Sequence, residues 1–257
     1  MVLLPGLGPQ HAGSGPRHRA LQRLEVGLLA RSFTVFILAR PTGLARGTTI
    51  GELAARYAAT ITTHFSSPVD LIGVSTGGSI ALQLAIDHPN AMNRLVLVSA
   101  AFRLGDDGRT AQQAIAENLR LRRPRRAAAT MLATTTTRPG HRTLRHATGL
   151  ALGRLALGQR SEDLIAILEA EDHFDVQADL SRVASPTLVI GGGQDGYYPT
   201  DLFTRTAAGV ADGTFVELPD RSHLGLATDR RVARTIRDFL TPTPATADTP
   251  TTPATRH

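Results

Sequence analysis

The chain has 257 residues, 42% hydrophobic and 19% charged, with a formal net charge of +6. That balance supports a buried core in one domain with room for an insertion, and the absence of cysteine excludes disulfides, thiolate catalysis and Cys-ligated metal centres. No apolar run approaches ~18 residues, which excludes a membrane-spanning helix; all 28 basic residues are Arg, and with no nucleic-acid module and few aromatics to stack on bases, the charge reads as composition.

Val2–Leu4 is a short apolar run stopped by Pro5-Gly6. The first residues lack the basic region and long apolar stretch of a secretory leader, so a cytoplasmic protein is expected. Phe33-Thr34-Val35-Phe36-Ile37-Leu38-Ala39 is an apolar run read as a strand buried on both faces. Thr49-x-x-Glu52 is a capping box, and Ile50, Leu53, Ala54, Tyr57, Ala58, Ile61 and Phe65 recur behind it at helical spacing. Val69–Val74 is a strand, Thr76–Asp87 a helix of small residues stopped by His88-Pro89, and residues 95–98 a further strand. Residues 102–181 hold no convincing strand. They carry helical patterns such as Leu144, Ala147, Thr148, Ala151, Leu152 and Leu155, and Ser161 reads as an N-cap. Strands at 187–190 and 214–218 follow, then a last helix marked by Asp229, Val232, Ala233, Ile236, Phe239 and Leu240. Residues 241–257, mostly Thr, Pro and Ala, cannot bury enough apolar surface to offset their ordering entropy and are expected to be disordered. The alternation predicts an α/β fold on a mostly parallel sheet, with residues 1–101 and 182–240 forming the core and 102–181 a helical insertion.

The sharpest motif is Gly73-Val74-Ser75-Thr76-Gly77, between a strand and a helix. A turn that sharp strains the central residue and leaves no room for side chains two positions either side, so Gly73 and Gly77 are expected there and Ser75 is expected to stand exposed at the helix N-terminus. Gly191-Gly192-Gly193-Gln194-Asp195 follows the strand at 187–190, placing the Asp195 carboxylate in the crevice where parallel sheets bind ligands. Arg221-Ser222-His223-Leu224-Gly225 follows the strand at 214–218. Taken singly, each motif has a bland reading: a Gly-rich turn, a turn Asp, a solvated His. A dinucleotide reading of Gly6-x-Gly8 fails because His11 stands where a third Gly is needed and Leu38-Ala39-Arg40 offers no acid for a ribose. Glu171-Asp172-His173 reads as an acidic helix end rather than a metal ligand set, and the run Arg120, Arg122, Arg123, Arg125, Arg126 as a solvated helix end.

In these motifs and their order Ser…Asp…His, the chain resembles the α/β-hydrolase family over roughly residues 1–240. The resemblance implies a doubly wound sheet with residues 102–181 as a helical cap. It makes Ser75 the nucleophile, Asp195 the acid and His223 the base. It also assigns the oxyanion hole to the backbone N–H groups of Leu7, in Pro5-Gly6-Leu7-Gly8, and Thr76. No metal or organic cofactor is implied. The expected activity is hydrolysis of an ester or lactone of a small apolar molecule through an acyl-enzyme. The alternatives are other chemistry on the same residues (acyl transfer, perhydrolysis, elimination or cyclisation) or a non-enzymatic ligand receptor. A small-molecule substrate is the expected partner, with neither nucleic acid nor membrane. The family also has two strands before the one at Val2–Leu4. Their absence makes the run Phe33 to Ala39 a sheet edge; the natural start is expected upstream of Met1, the alternatives being a homodimer through that edge or shielding by the segment near Arg17 to Ala30.

Overall fold

The structure, a computed structural model, describes residues 1–7, 26–157 and 161–241. Six strands form one open sheet: β1 (Val2–Leu4), β2 (Phe36–Ile37), β3 (Val69–Val74), β4 (Met92–Val98), β5 (Thr187–Gly192) and β6 (Gly213–Leu218). Their order is β2-β1-β3-β4-β5-β6, and every pairing is parallel. The expected tail beyond Thr241, Gly8 of the Pro-Gly-Leu-Gly turn and most of the Arg17 to Ala30 segment lie outside the described residues.

The period of two along each strand divides the central sheet between two cores. Leu71, Leu95, Leu97 and Val189 face one core, which includes the helices α1 (Ile50–His64), α2 (Thr76–Asp87) and α7 (Thr200–Gly209). Ile72, Val96, Val98, Leu188 and Ile190 face a smaller core closed by Val26, Leu29 and the helix α8 (Arg230–Leu240). Both faces of β3, β4 and β5 are therefore covered, as continuous apolar runs in parallel strands require. Both halves of the α1 capping box are made: Thr49 Oγ1 accepts from Glu52 N–H at 3.1 Å, and Glu52 Oε2 accepts from Thr49 N–H at 3.0 Å. The α1 positions read as one face, from Ile50 to Ile61, are buried.

Two expectations need correction. The run Phe33 to Ala39 forms a ladder of only two residues, and Phe36 is 48% exposed rather than buried. Its partner among the described residues, β1, is three residues long and pairs with it at Val2↔Phe36 and Leu3↔Ile37. Among the described residues the strand ends the sheet, and the Phe36 and Phe65 rings meet in a T-shaped contact at a centroid separation of 5.1 Å.

The described residues between β4 and β5 form four α-helices, α3 (Asp106–Arg120), α4 (Pro124–Thr134), α5 (Pro139–Leu157) and α6 (Ser161–Asp172), followed by a 3-10 turn at Gln177–Arg182. The apolar stripe anticipated along α5 points outward, with Leu144 67% and Leu152 55% exposed. Glycine makes the contact instead. A Cβ on Gly149 would come 2.4 Å from Ala129 Cα, so α5 packs backbone to backbone on α4. At the root of this segment Arg103 pairs antiparallel with Asp175.

Candidate active site

The chain turns sharply where β3 enters α2. Ser75 has φ 52° and ψ −126°, a conformation that costs a non-glycine residue energy and persists only when its surroundings enforce it. The enforcement is steric. A Cβ on Gly73 would lie 2.5 Å from Gly78 Cα, and one on Gly77 would lie 2.1 Å from the Leu4 carbonyl oxygen. Only glycine lets α2 start this close to β1 and β3. Ser75 N–H donates to Val98 O at 2.9 Å, pinning the turn to β4.

His223 Nε2 lies 2.9 Å from Ser75 Oγ, and His223 Nδ1 lies 2.7 Å from Asp195 Oδ2. A carboxylate only accepts, so Nδ1 carries the proton and Nε2 is left to accept from the Ser75 hydroxyl. The other Asp195 oxygen, Oδ1, accepts from the backbone N–H groups of Tyr197 at 2.8 Å and Tyr198 at 3.2 Å. The Asp195 side chain is fully buried and that of His223 nearly so. Such a line of groups can draw the proton from a serine hydroxyl as it attacks and hold the resulting imidazolium.

The structure thus brings together the three side chains read from the sequence. It also places the Pro5-Gly6 turn against the serine: a Cβ on Gly6 would lie 3.1 Å from Ser75 Cβ. Leu7 follows that turn, and Thr76 is the first residue of α2, where an α-helix leaves N–H groups without intrahelical partners. Arg40, buried behind the turn, donates from Nη2 to Pro5 O at 3.0 Å and Gly6 O at 3.3 Å; desolvation lowers its pKa.

Several supporting residues carry no signal in the sequence. The rings of Tyr197 and Tyr198 lie 5.0 and 6.0 Å from that of His223, and burial raises both phenol pKa values. Tyr197 OH donates to Met131 O in α4 at 3.0 Å. Ser99, with φ 50°, donates from Oγ to His223 O at 3.2 Å. His223 N–H donates to Thr135 O at 3.0 Å, and Arg145 of α5 bonds both Thr135 Oγ1 and Ser222 Oγ. The α4–α5 pair therefore grips the segments that carry the acid and the imidazole. Among the described residues no group of three or more His, Asp or Glu side chains is placed to hold a metal.

A model of the alpha/beta hydrolase family matches residues 1–235. Pyrrolizixenacetamide deacetylase of Xenorhabdus hominickii is 24% identical over 193 residues, 74% of this chain and 72% of that protein. The enol-lactonase from Burkholderia xenovorans LB400 superposes with a TM-score of 0.74 at 20% identity, covering 93% of this chain and 90% of that one. A thermophilic esterase from Thermogutta terrifontis gives 0.69 at 20% identity, covering 93% and 88%.

Proposed function

The chain belongs to the alpha/beta hydrolase family, and within it we propose a serine hydrolase that cleaves an ester or lactone of a small apolar molecule. The observation carrying this reading is the unbroken hydrogen-bonded line Asp195–His223–Ser75, with its serine held at positive φ at the head of a helix. Ser75 Oγ attacks the acyl carbonyl while His223 Nε2 takes its proton. The Leu7 and Thr76 N–H groups bind the oxyanion, each such donor being worth about 2.7–4 kcal/mol in comparable sites. His223 returns the proton to the leaving alcohol. Water, activated by the same imidazole, then releases the acid and frees Ser75. Asp195 fixes the imidazole tautomer throughout. A relative named a deacetylase and structures named as a lactonase and an esterase share this acyl-carbonyl chemistry.

The test compares the wild type with Ser75→Ala on a panel of nitrophenyl esters of graded chain length and lactones, alongside fluorophosphonate labelling. Wild-type turnover with label at Ser75, and a loss in kcat on the order of 10⁶ in the variant, is expected. Turnover that survives Ser75→Ala removes Ser75 from the mechanism. Labelling without turnover of any acyl substrate points to a receptor or a different reaction.

A further inference from the structure

Glu171 sits in the stretch Glu171-Asp172-His173 that reads as an acidic helix end, yet it is 1% exposed. Its Oε2 accepts from Thr76 Oγ1 at 2.7 Å and Gln112 Nε2 at 2.8 Å. Its Oε1 accepts from Ser79 Oγ at 2.8 Å and Tyr198 OH at 3.2 Å. No cation touches it at ion-pair distance among the described residues; the buried Arg40 guanidinium acts on it only through space. A carboxylate drawn out of water without a contacting counter-ion is costly to a fold. Four donors, the positive end of α2 and the more distant Arg40 charge offset that cost.

The donors identify what the carboxylate joins. Thr76 and Ser79 form the first turn of α2, directly after Ser75. Gln112 comes from α3, and Tyr198 from the loop whose N–H groups hold Asp195. Apolar contact would let these elements slide past one another; directional bonds to two oxygens fix them. We propose that Glu171 is a positioning residue for the nucleophile turn. From α6 it sets the place of the Thr76 N–H and of the Asp195 loop relative to Ser75. The inference rests on reading Ser75 as the nucleophile and deepens that reading.

The test measures fluorophosphonate labelling rates, kcat and KM for a nitrophenyl ester, and melting curves, all on the full chain. Glu171→Ala should lower kcat and the labelling rate together by about 10- to 100-fold, with KM unchanged, because misplacement affects the transition state rather than substrate capture. Glu171→Gln should keep most of the rate. Gln112 Oε1 is buried without a partner, so its amide can turn to accept from the new NH₂ group while the hydroxyls reorient. Ile167→Ala, in the same helix and making none of these bonds, should lower the melting temperature and leave the labelling rate intact. Equal rate losses in Glu171→Ala and Ile167→Ala, or a wild-type rate in Glu171→Ala, overturn the proposal alone. Absence of labelling at Ser75 in the wild type overturns the nucleophile reading and this inference with it. Should Glu171→Ala not fold, Ser79→Ala deletes the 2.8 Å bond from the other side. It must then slow labelling where Ile167→Ala does not; equal rates in those two variants overturn the proposal.

Discussion

Replacing Asp195 by Asn alters one atom, and the surroundings dictate which way the new amide faces. In the wild type both carboxylate oxygens accept: Oδ1 from two backbone N–H groups, Oδ2 from His223 Nδ1. Asn has one oxygen. With that oxygen toward Tyr197 and Tyr198, both N–H groups stay bonded and the NH₂ group faces His223. The imidazole must then accept at Nδ1 and carry its proton on Nε2, where it cannot take one from Ser75. The reverse orientation restores the useful tautomer but leaves two buried backbone donors facing an NH₂ group, at about 1–3 kcal/mol each. The productive form is thus disfavoured by roughly 2–6 kcal/mol, before counting the lost stabilisation of the imidazolium. Asp195→Asn should therefore lower kcat/KM by about 10³- to 10⁴-fold, or about 4–5.5 kcal/mol, with KM little changed. The melting temperature should stay near wild type, because the favoured orientation satisfies every donor. Steady-state kinetics with circular-dichroism melts check both halves. Activity within tenfold of wild type in a folded Asn variant would refute the assignment of Asp195.

Gly77→Ala drives a methyl to 2.1 Å from the Leu4 carbonyl, so β1 or α2 must move and carry the Gly6 turn with it. We expect destabilisation by about 1–3 kcal/mol and slower labelling at Ser75, checked by melting and probe kinetics; a variant matching wild type in both would contradict the steric account of the turn. Bonds from Arg231 and then Arg221 hold the Asp229 carboxyl below its ordinary value of 3.8. A depressed folded pKa adds stability that is present above the unfolded value and lost as pH falls toward the folded one. Asp229→Asn should accordingly melt lower than wild type at pH 7, with the gap closing in acid; a gap that does not change with pH would show that the effect is packing alone.

Legibility in the sequence followed punctuation. Ser75, Asp195 and His223 stand after apolar runs ended by glycine or turn residues, and chain order plus strand ends sufficed to bring them together. The settings of Glu171, which reads as part of an acidic helix end, and of Ser99 and the two tyrosines were not legible because burial and partners depend on contacts distant in sequence. Glu171 meets Thr76 across 95 positions. Two apolar patterns misled for related reasons. Phe33 to Ala39 has the composition of a central strand, but the partner beside it is only three residues long. In α5 the leucines mark the hydrophobic side, yet α4 prefers the glycines, since a close backbone approach gains more contact than leucine tips permit.

The antiparallel bridge between Arg103 and Asp175, with Val176 N–H donating to Phe102 O at 3.1 Å, makes the four helices leave and rejoin the sheet through a single doorway. Closing a loop costs little more as the loop grows. Helices can therefore be lengthened, trimmed or exchanged behind that doorway without shifting the register of any strand. Helix content and sheet stability become separately adjustable properties of one chain. The limits on such exchange are the fastenings that cross back to the sheet, among them Glu171 to the head of α2, Met131 to Tyr197, Thr135 to His223 and Arg145 to Ser222. A transplanted set of helices that kept the doorway but lost these fastenings would fold over a serine it no longer held in place.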